Sequence, residues 1–183
     1  MKNSQSQSWF ATEVTLQEDT RERFHTLARW WAEEVGSLRG SIEDGDGNVA
    51  GRFGELVYRE VFGGTIEDDY DYDILQNDVK IDVKTTRRTV PVQPHYNAVV
   101  ANWNTEQDCD IYYFVSVLGE DAEEPFSKAW LCGYSTPDNF YTEAVERSKG
   151  DRDGYGFRFP AACYTLHYEE MRRRDDVDTE VTI

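Results

Sequence analysis

Apolar positions near the start of the chain recur at helical intervals. Phe24, Leu27, Ala28, Trp31 and Val35 fall every three to four residues, the period of one helix face. Thr15 and Glu18 have capping-box spacing, so an amphipathic helix is predicted from about Thr15 to Gly36. The polar residues before it, 1–14, read as a flexible lead. GRFGELVYREVFGG carries a second stripe, with Phe53, Leu56, Val57 and Val61 beside Glu60, and Gly63-Gly64 to stop it. Between the two helices, SIEDGDGNVAG reads as a loop of Gly and Asp. Its D-G-D-G opens like a calcium loop but lacks the later ligands and the closing Glu, which makes it a solvated turn.

The pattern then changes to alternation. TIEDDYDYDILQNDVKIDVKTTRR is rich in Tyr, Ile and Val at period two. Further strands are predicted at 98–101, 111–118 and 126–133. A helix is expected from Ser135 or Thr136, with Pro137 at its first position, to about Ser148. A short strand at 163–167 and a helical turn ending at Arg172, Arg173 and Arg174 complete the chain. No internal repeat is seen, and the order of elements predicts one mixed α/β domain over 15–183.

Turn chemistry sharpens one part of this reading. If Asn77-Asp78 is a two-residue hairpin turn, Gln76 faces Val79, Leu75 faces Lys80, Ile74 faces Ile81, Asp73 faces Asp82, Tyr72 faces Val83 and Asp71 faces Lys84. Side chains alternate along a strand, so Tyr72, Ile74, Ile81 and Val83 share one apolar face. Asp71, Asp73, Lys80, Asp82 and Lys84 share the other. Two carboxylates directly opposite each other are destabilising. Flanking lysines, a shared proton or a hard divalent cation bound through carboxylate oxygens would relieve them.

Composition adds a conflict. The chain has 36 Asp and Glu against 19 Lys and Arg, a net charge of -17, which argues against a polyanionic partner. Yet 14% aromatic residues exclude a disordered acidic tail. No apolar run reaches the roughly 20 residues of a membrane span, and a soluble, cytoplasmic protein is expected. Cys109, Cys132 and Cys163 are too widely spaced for a zinc or iron–sulfur motif and read as buried free thiols. Only 5 of the 19 cations are Lys. An acid-rich, Lys-poor surface is like that of proteins from salt-accumulating halophiles, where salt screens self-repulsion. An acidic mimic of DNA is the competing explanation.

Asp73 on one strand and Asp82-Val83-Lys84 on the next, preceded by Glu55 on a helix, resemble the PD-(D/E)XK nuclease superfamily. The likeness covers roughly residues 49–148, including the GELVYREVFGG helix and the DIYYFVSVL and AWLCGYS strands. Tyr72 stands where that motif has its Pro. The resemblance implies a restriction-endonuclease-like α/β fold, a central mixed sheet flanked by helices, and a metal-dependent deoxyribonuclease; the acid-rich composition and small size suggest a halophilic archaeon or its virus as the source. It implies that Asp73, Asp82 and the Val83 backbone carbonyl bind Mg²⁺ or Mn²⁺, with Glu55 completing the shell directly or through water. Lys84 would orient the metal-activated water and offset charge in the transition state.

The distribution of charge agrees with that expectation. Within residues 79–100, Lys80, Lys84, Arg87 and Arg88 meet a single acid, Asp82. This island is the candidate site for DNA backbone phosphates, with Lys80, Arg87 and Arg88 as contacts and His95, Tyr96 or Trp103 available to stack on bases. Arg172 to Arg174 form a further candidate clamp or an ion-paired helix end. Two function classes remain open: a nuclease, acting as a monomer or homodimer on DNA, RNA or a junction, and an inactive acidic DNA mimic or protein-interaction module on the same fold.

Overall fold

The computed structural model describes residues 11–34, 44–67, 69–174 and 180–183, with side chains of the second stretch from Asn48 onward. The chain runs β1 (Thr12–Thr15), α1 (Glu18–Glu34), α2 (Asp44–Phe62), β2 (Thr65–Ile66), β3 (Ile74–Gln76), β4 (Val79–Arg88), β5 (Asn97–Ala101), β6 (Ile111–Leu118), β7 (Lys128–Ser135), α3 (Pro137–Glu143), β8 (Val145–Arg147), β9 (Cys163–His167) and β10 (Glu180–Thr182). The fold is α/β. Seven strands form a mixed sheet in the order β10-β1-β7-β6-β4-β3-β2, and β5-β9-β8 form a second, antiparallel sheet. Among the described residues, parallel pairing is confined to β4 with β6 and β1 with β10. Among the described residues, no helix is long and apolar enough to cross a membrane.

Alternation along β6 and β7 divides the apolar side chains between two cores. Tyr113, Val115, Val117, Ala129 and Leu131 join Phe24, Phe53, Leu56 and Val57 of α1 and α2. Tyr112, Phe114, Trp130 and Cys132 pack on the other face with Ala98, Phe140, Leu166 and Tyr168. The large sheet is therefore covered on both faces, as its near-continuous apolar central strands require.

Several expectations change. Thr15 ends β1, paired with Thr182, so it is not the cap of α1, which begins at Glu18. The expected lead thus contributes β1 from Thr12; residues 1–10 and the expected helix end at Gly36 lie outside the described residues. The anticipated D-G-D-G turn is helical, because α2 starts at Asp44; the side chains that the calcium-loop comparison invokes lie outside the described residues. Val49 and Ala50 are buried on the same stripe as Phe53, Leu56 and Val57, and that burial outweighs the helix cost of glycine, about 1 kcal/mol per residue. The strand expected at 126–133 occupies Lys128–Ser135. α3 starts as expected, with Thr136 capping Asn139 N and Pro137 next, but it stops at Glu143. Val145–Arg147 is drawn into pairing with β9.

The hairpin register is as derived. Ile74 pairs with Ile81, Leu75 with Lys80 and Gln76 with Val79. Asn77 and Asp78 have φ of 50° and 66°, the left-handed pair that a type I′ turn needs. The ladder ends sooner than expected, however. β3 begins at Ile74, so Asp71, Tyr72 and Asp73 precede the strand. β4 continues to Arg88, and beyond Ile81 its β3-side edge has no strand partner among the described residues.

Candidate active site

That uncovered edge of β4 opens on a cleft of about 340 Å³. Glu55, Asp73, Asp82 and Lys84 all line it, so four residues from a helix, a loop and a strand meet in one place.

Asp73 is placed by a break in the ladder. In a continued antiparallel pair the Val83 N–H would reach the backbone of Tyr72. Here Asp73 N donates to Ile81 O at 2.9 Å, and Asp73 Oδ2 accepts the Val83 N–H at 2.8 Å. A side-chain carboxylate stands in for a ladder carbonyl, which ties Asp73 to the middle residue of Asp82-Val83-Lys84. Burial, then the negative charges of Glu55 and Asp82, push the Asp73 carboxyl well above its ordinary range. The expected clash of like charges is therefore present, although the two aspartates are not a regular cross-strand pair.

Asp82 is buried, and its Oδ2 pairs with the Lys84 ammonium. Burial works to depress the Lys84 ammonium, but Asp82 and Asp73 outweigh it and its pKa is raised. Lys84 Nζ also donates to Gln107 Oε1 at 2.9 Å, and Gln107 Nε2 donates to Tyr70 O at 2.8 Å. Gln107 thus holds the lysine from the far side. Nothing in its local sequence marks it, since it comes from the crossover between β4 and β6.

Glu55 is buried on α2, where its Oε2 accepts from Arg52 Nη1 at 2.7 Å. The Arg52 guanidinium lies 5.0 Å over the Trp31 ring. Gly54 lets this helix approach β4: a Cβ there would lie 2.0 Å from Thr85 Oγ1.

The island of cations is dispersed. Arg87 lines the cleft and donates to Glu120 O. Its neighbour Arg88 points the opposite way, as alternation requires, and donates to Ser116 Oγ, Asn97 O and Tyr168 Oη. Its guanidinium stacks on Tyr96 at 4.7 Å and Tyr168 at 5.4 Å. Lys80 pairs with Asp108 at 2.7 Å. His95 packs against Tyr155, with ring centroids 4.3 Å apart. Lys80, Arg88 and His95 do not line the cleft. Arg174 reaches Tyr58 and Gln76 beside a separate hollow. The cysteines carry no disulfide; burial pushes Cys109 and Cys132 up to about 12, which keeps both as thiols.

Among the described residues, no group of three or more His, Cys, Asp or Glu side chains is arranged to hold a metal ion by itself. The donor chemistry nevertheless fits a hard divalent cation: the carboxylates of Glu55 and Asp82 press on that of Asp73 inside a buried site. Such an ion would rest on Asp73 and Asp82, with a carbonyl or water completing its shell. Comparison with known proteins finds no family model that matches the chain and no curated protein that matches it.

Proposed function

We propose that the chain is a metal-dependent deoxyribonuclease that hydrolyses phosphodiester bonds on a restriction-endonuclease-like core. The observation that carries this reading is the bond from Val83 N–H to Asp73 Oδ2. It joins an upstream aspartate to an Asp-x-Lys strand segment, while Glu55 and Lys84 line the same cleft.

Asp73 and Asp82 would hold Mg²⁺ or Mn²⁺ together with the Val83 carbonyl. A bound divalent cation supplies Lewis acidity, lowering the pKa of water and offsetting charge on the phosphoryl oxygens. The Asp82 carboxylate and the Gln107 side-chain carbonyl both favour the ammonium form, in which Lys84 would serve as a donor. Positioned by Asp82 and Gln107, it would orient the attacking water and stabilise negative charge developing on the phosphoryl oxygens as the 3′ oxygen leaves. Arg52 holds Glu55 in reach of the same region, where its charge favours a cation. The acidic surface is that of a protein working at high salt, where surface self-repulsion is screened.

The test is cleavage of DNA in molar KCl with Mg²⁺ or Mn²⁺, comparing the wild type with Asp82→Asn. Asparagine keeps the side-chain volume beside Lys84. Loss of cleavage with an unchanged circular dichroism spectrum is expected; equal rates would refute the assignment. Absence of any heat on titration with Mn²⁺ would favour the acidic binding module.

A further inference from the structure

Exposed aromatic rings gather at the opening of the cleft. Tyr70, Trp103 and Phe157 line it while 62%, 47% and 56% exposed, whereas Glu55 and Asp82 are 6% and 3% exposed. Large apolar rings left in water at the rim of a buried charged site mark a binding surface. Tyr70 and Phe157 have their side chains engaged, and the Trp103 backbone is tied to Tyr70. Tyr70 Oη donates to Trp103 O at 3.4 Å, and Gln107 bonds the Tyr70 carbonyl to Lys84. Phe157 sits on a loop whose tip is pinned by Asp153 Oδ1, which accepts from Tyr155 N and Phe157 N, both at 2.9 Å. Its ring is braced edge-on by Phe159 at 5.3 Å. Rings ordered beforehand lose little entropy when a ligand stacks on them.

Among the described residues, the three cations that line the cleft have partners within the protein: Lys84 is bound to Asp82, Arg52 to Glu55 and Arg87 to the Glu120 carbonyl. A duplex gripped through its phosphates needs several available cations, and its affinity falls steeply with salt. The net charge of -17 makes that mode weaker still. A duplex also hides its base faces within the stack, whereas an unpaired strand exposes them to aromatic side chains.

We propose that the cleft takes single-stranded DNA, with unpaired bases stacked on Trp103, Tyr70 and Phe157 so that the adjoining phosphodiester enters among Asp73, Asp82 and Lys84. This rests on the nuclease reading for the role of the buried acids, but the stacking itself does not require cleavage. Because stacking and not phosphate contact supplies the affinity, binding persists at salt concentrations that dissociate ordinary DNA-binding proteins.

Fluorescence anisotropy without divalent metal tests this, using a labelled single-stranded oligonucleotide and a hairpin duplex of the same base composition, from about 0.1 to 1 M KCl. The single strand should bind at least about tenfold more tightly, and its log K should fall with log salt at a slope of magnitude about 1 or less, equivalent to one or two phosphate contacts. Trp103→Ala should weaken binding about 5- to 100-fold, and Trp103→Phe, which keeps a ring, should recover most of it. Preference for the duplex, a steep salt slope, or no binding of either form would overturn the inference. A single strand that binds in this way but is not cut when Mn²⁺ is added would leave the inference standing and refute the nuclease reading.

Discussion

Gly54 lies against Thr85: a Cβ built on the glycine would sit 2.0 Å from Thr85 Oγ1 and 3.0 Å from both Thr85 Cβ and Cγ2. Rotating the threonine cannot clear all three atoms. Gly54→Ala must therefore push α2 away from β4, and Glu55 with it. The expected cost is about 1–3 kcal/mol from overpacking, read as a fall in Tm of about 2–4 °C per kcal/mol, with reduced cleavage. Thr85→Ala in the same chain should restore part of both. Wild-type melting and activity in Gly54→Ala would show that the close approach is dispensable.

Asp82 and Lys84 stabilise each other in a site removed from water. Asp82→Ala strands a buried ammonium and should destabilise by about 3–5 kcal/mol. The double variant Asp82→Ala, Lys84→Met removes both charges and should regain most of that loss. Urea unfolding of the wild type, both single variants and the double variant measures the coupling. Additive single effects would mean that the pair is solvated.

The raised Asp73 carboxyl makes stability depend on pH. Burial and the charges of Glu55 and Asp82 lift its pKa in the folded chain, so the folded state holds a proton that the unfolded state has already released. Stability then falls as pH rises from the ordinary carboxylate value, about 3.9, through the raised one. Asp73→Asn keeps an acceptor for Val83 N–H and removes the charge. It should match the wild type at the acid end and exceed it at neutral pH, by urea midpoints measured without metal. Saturating Mn²⁺ should raise the neutral-pH midpoint of the wild type and not that of Asp73→Asn.

Gln107 positions the Lys84 ammonium through one charge-assisted bond of 2.9 Å. Such a bond is worth about 1.5 kcal/mol or more, roughly tenfold in rate. Gln107→Ala should lower kcat by about that factor with little change in KM, and Gln107→Glu, which keeps an acceptor, should recover it. An equal loss in KM would instead mark Gln107 as a contact for the substrate.

At the hairpin turn, Asp78 carries a φ of 66°, a conformation that glycine adopts without steric penalty. Asp78→Gly should stabilise by up to about 1 kcal/mol without changing activity. A lower urea midpoint would mean that the aspartate makes a compensating bond in the turn.

The local rules were legible in the sequence. Turn chemistry at Asn77-Asp78 and alternation on either side determined the register of Ile74 with Ile81, because a two-residue loop leaves only one way to pair the strands. The strands at 111–118 and 163–167 were readable from their short apolar runs, and the start of α3 from Thr136 and Pro137. Glu55, Asp73, Asp82 and Lys84 were identifiable as a set, and all four line one cleft. By contrast, D-G-D-G read locally as a turn. It is helical because Val49 and Ala50 gain a core to bury in, a benefit that no short window can register.

Long-range packing decided what remained. The sequence determined that four cations lie close together in residues 79–100, but only the tertiary structure decided their partners. Arg87, on the face of Val83 and Thr85, lines the cleft, while Arg88, at the end of β4, lies between Tyr96 and Tyr168. The sequence also determined the two strand acids of the site. Only the fold decided that β3 leaves the ladder at Asp73, so that a carboxylate takes the Val83 N–H, and that Tyr70, Trp103, Gln107 and Phe157 arrive at the same cleft. These residues come from loops and a crossover whose course is set by the two cores beneath them, and hydrophobic burial is not written in residue spacing.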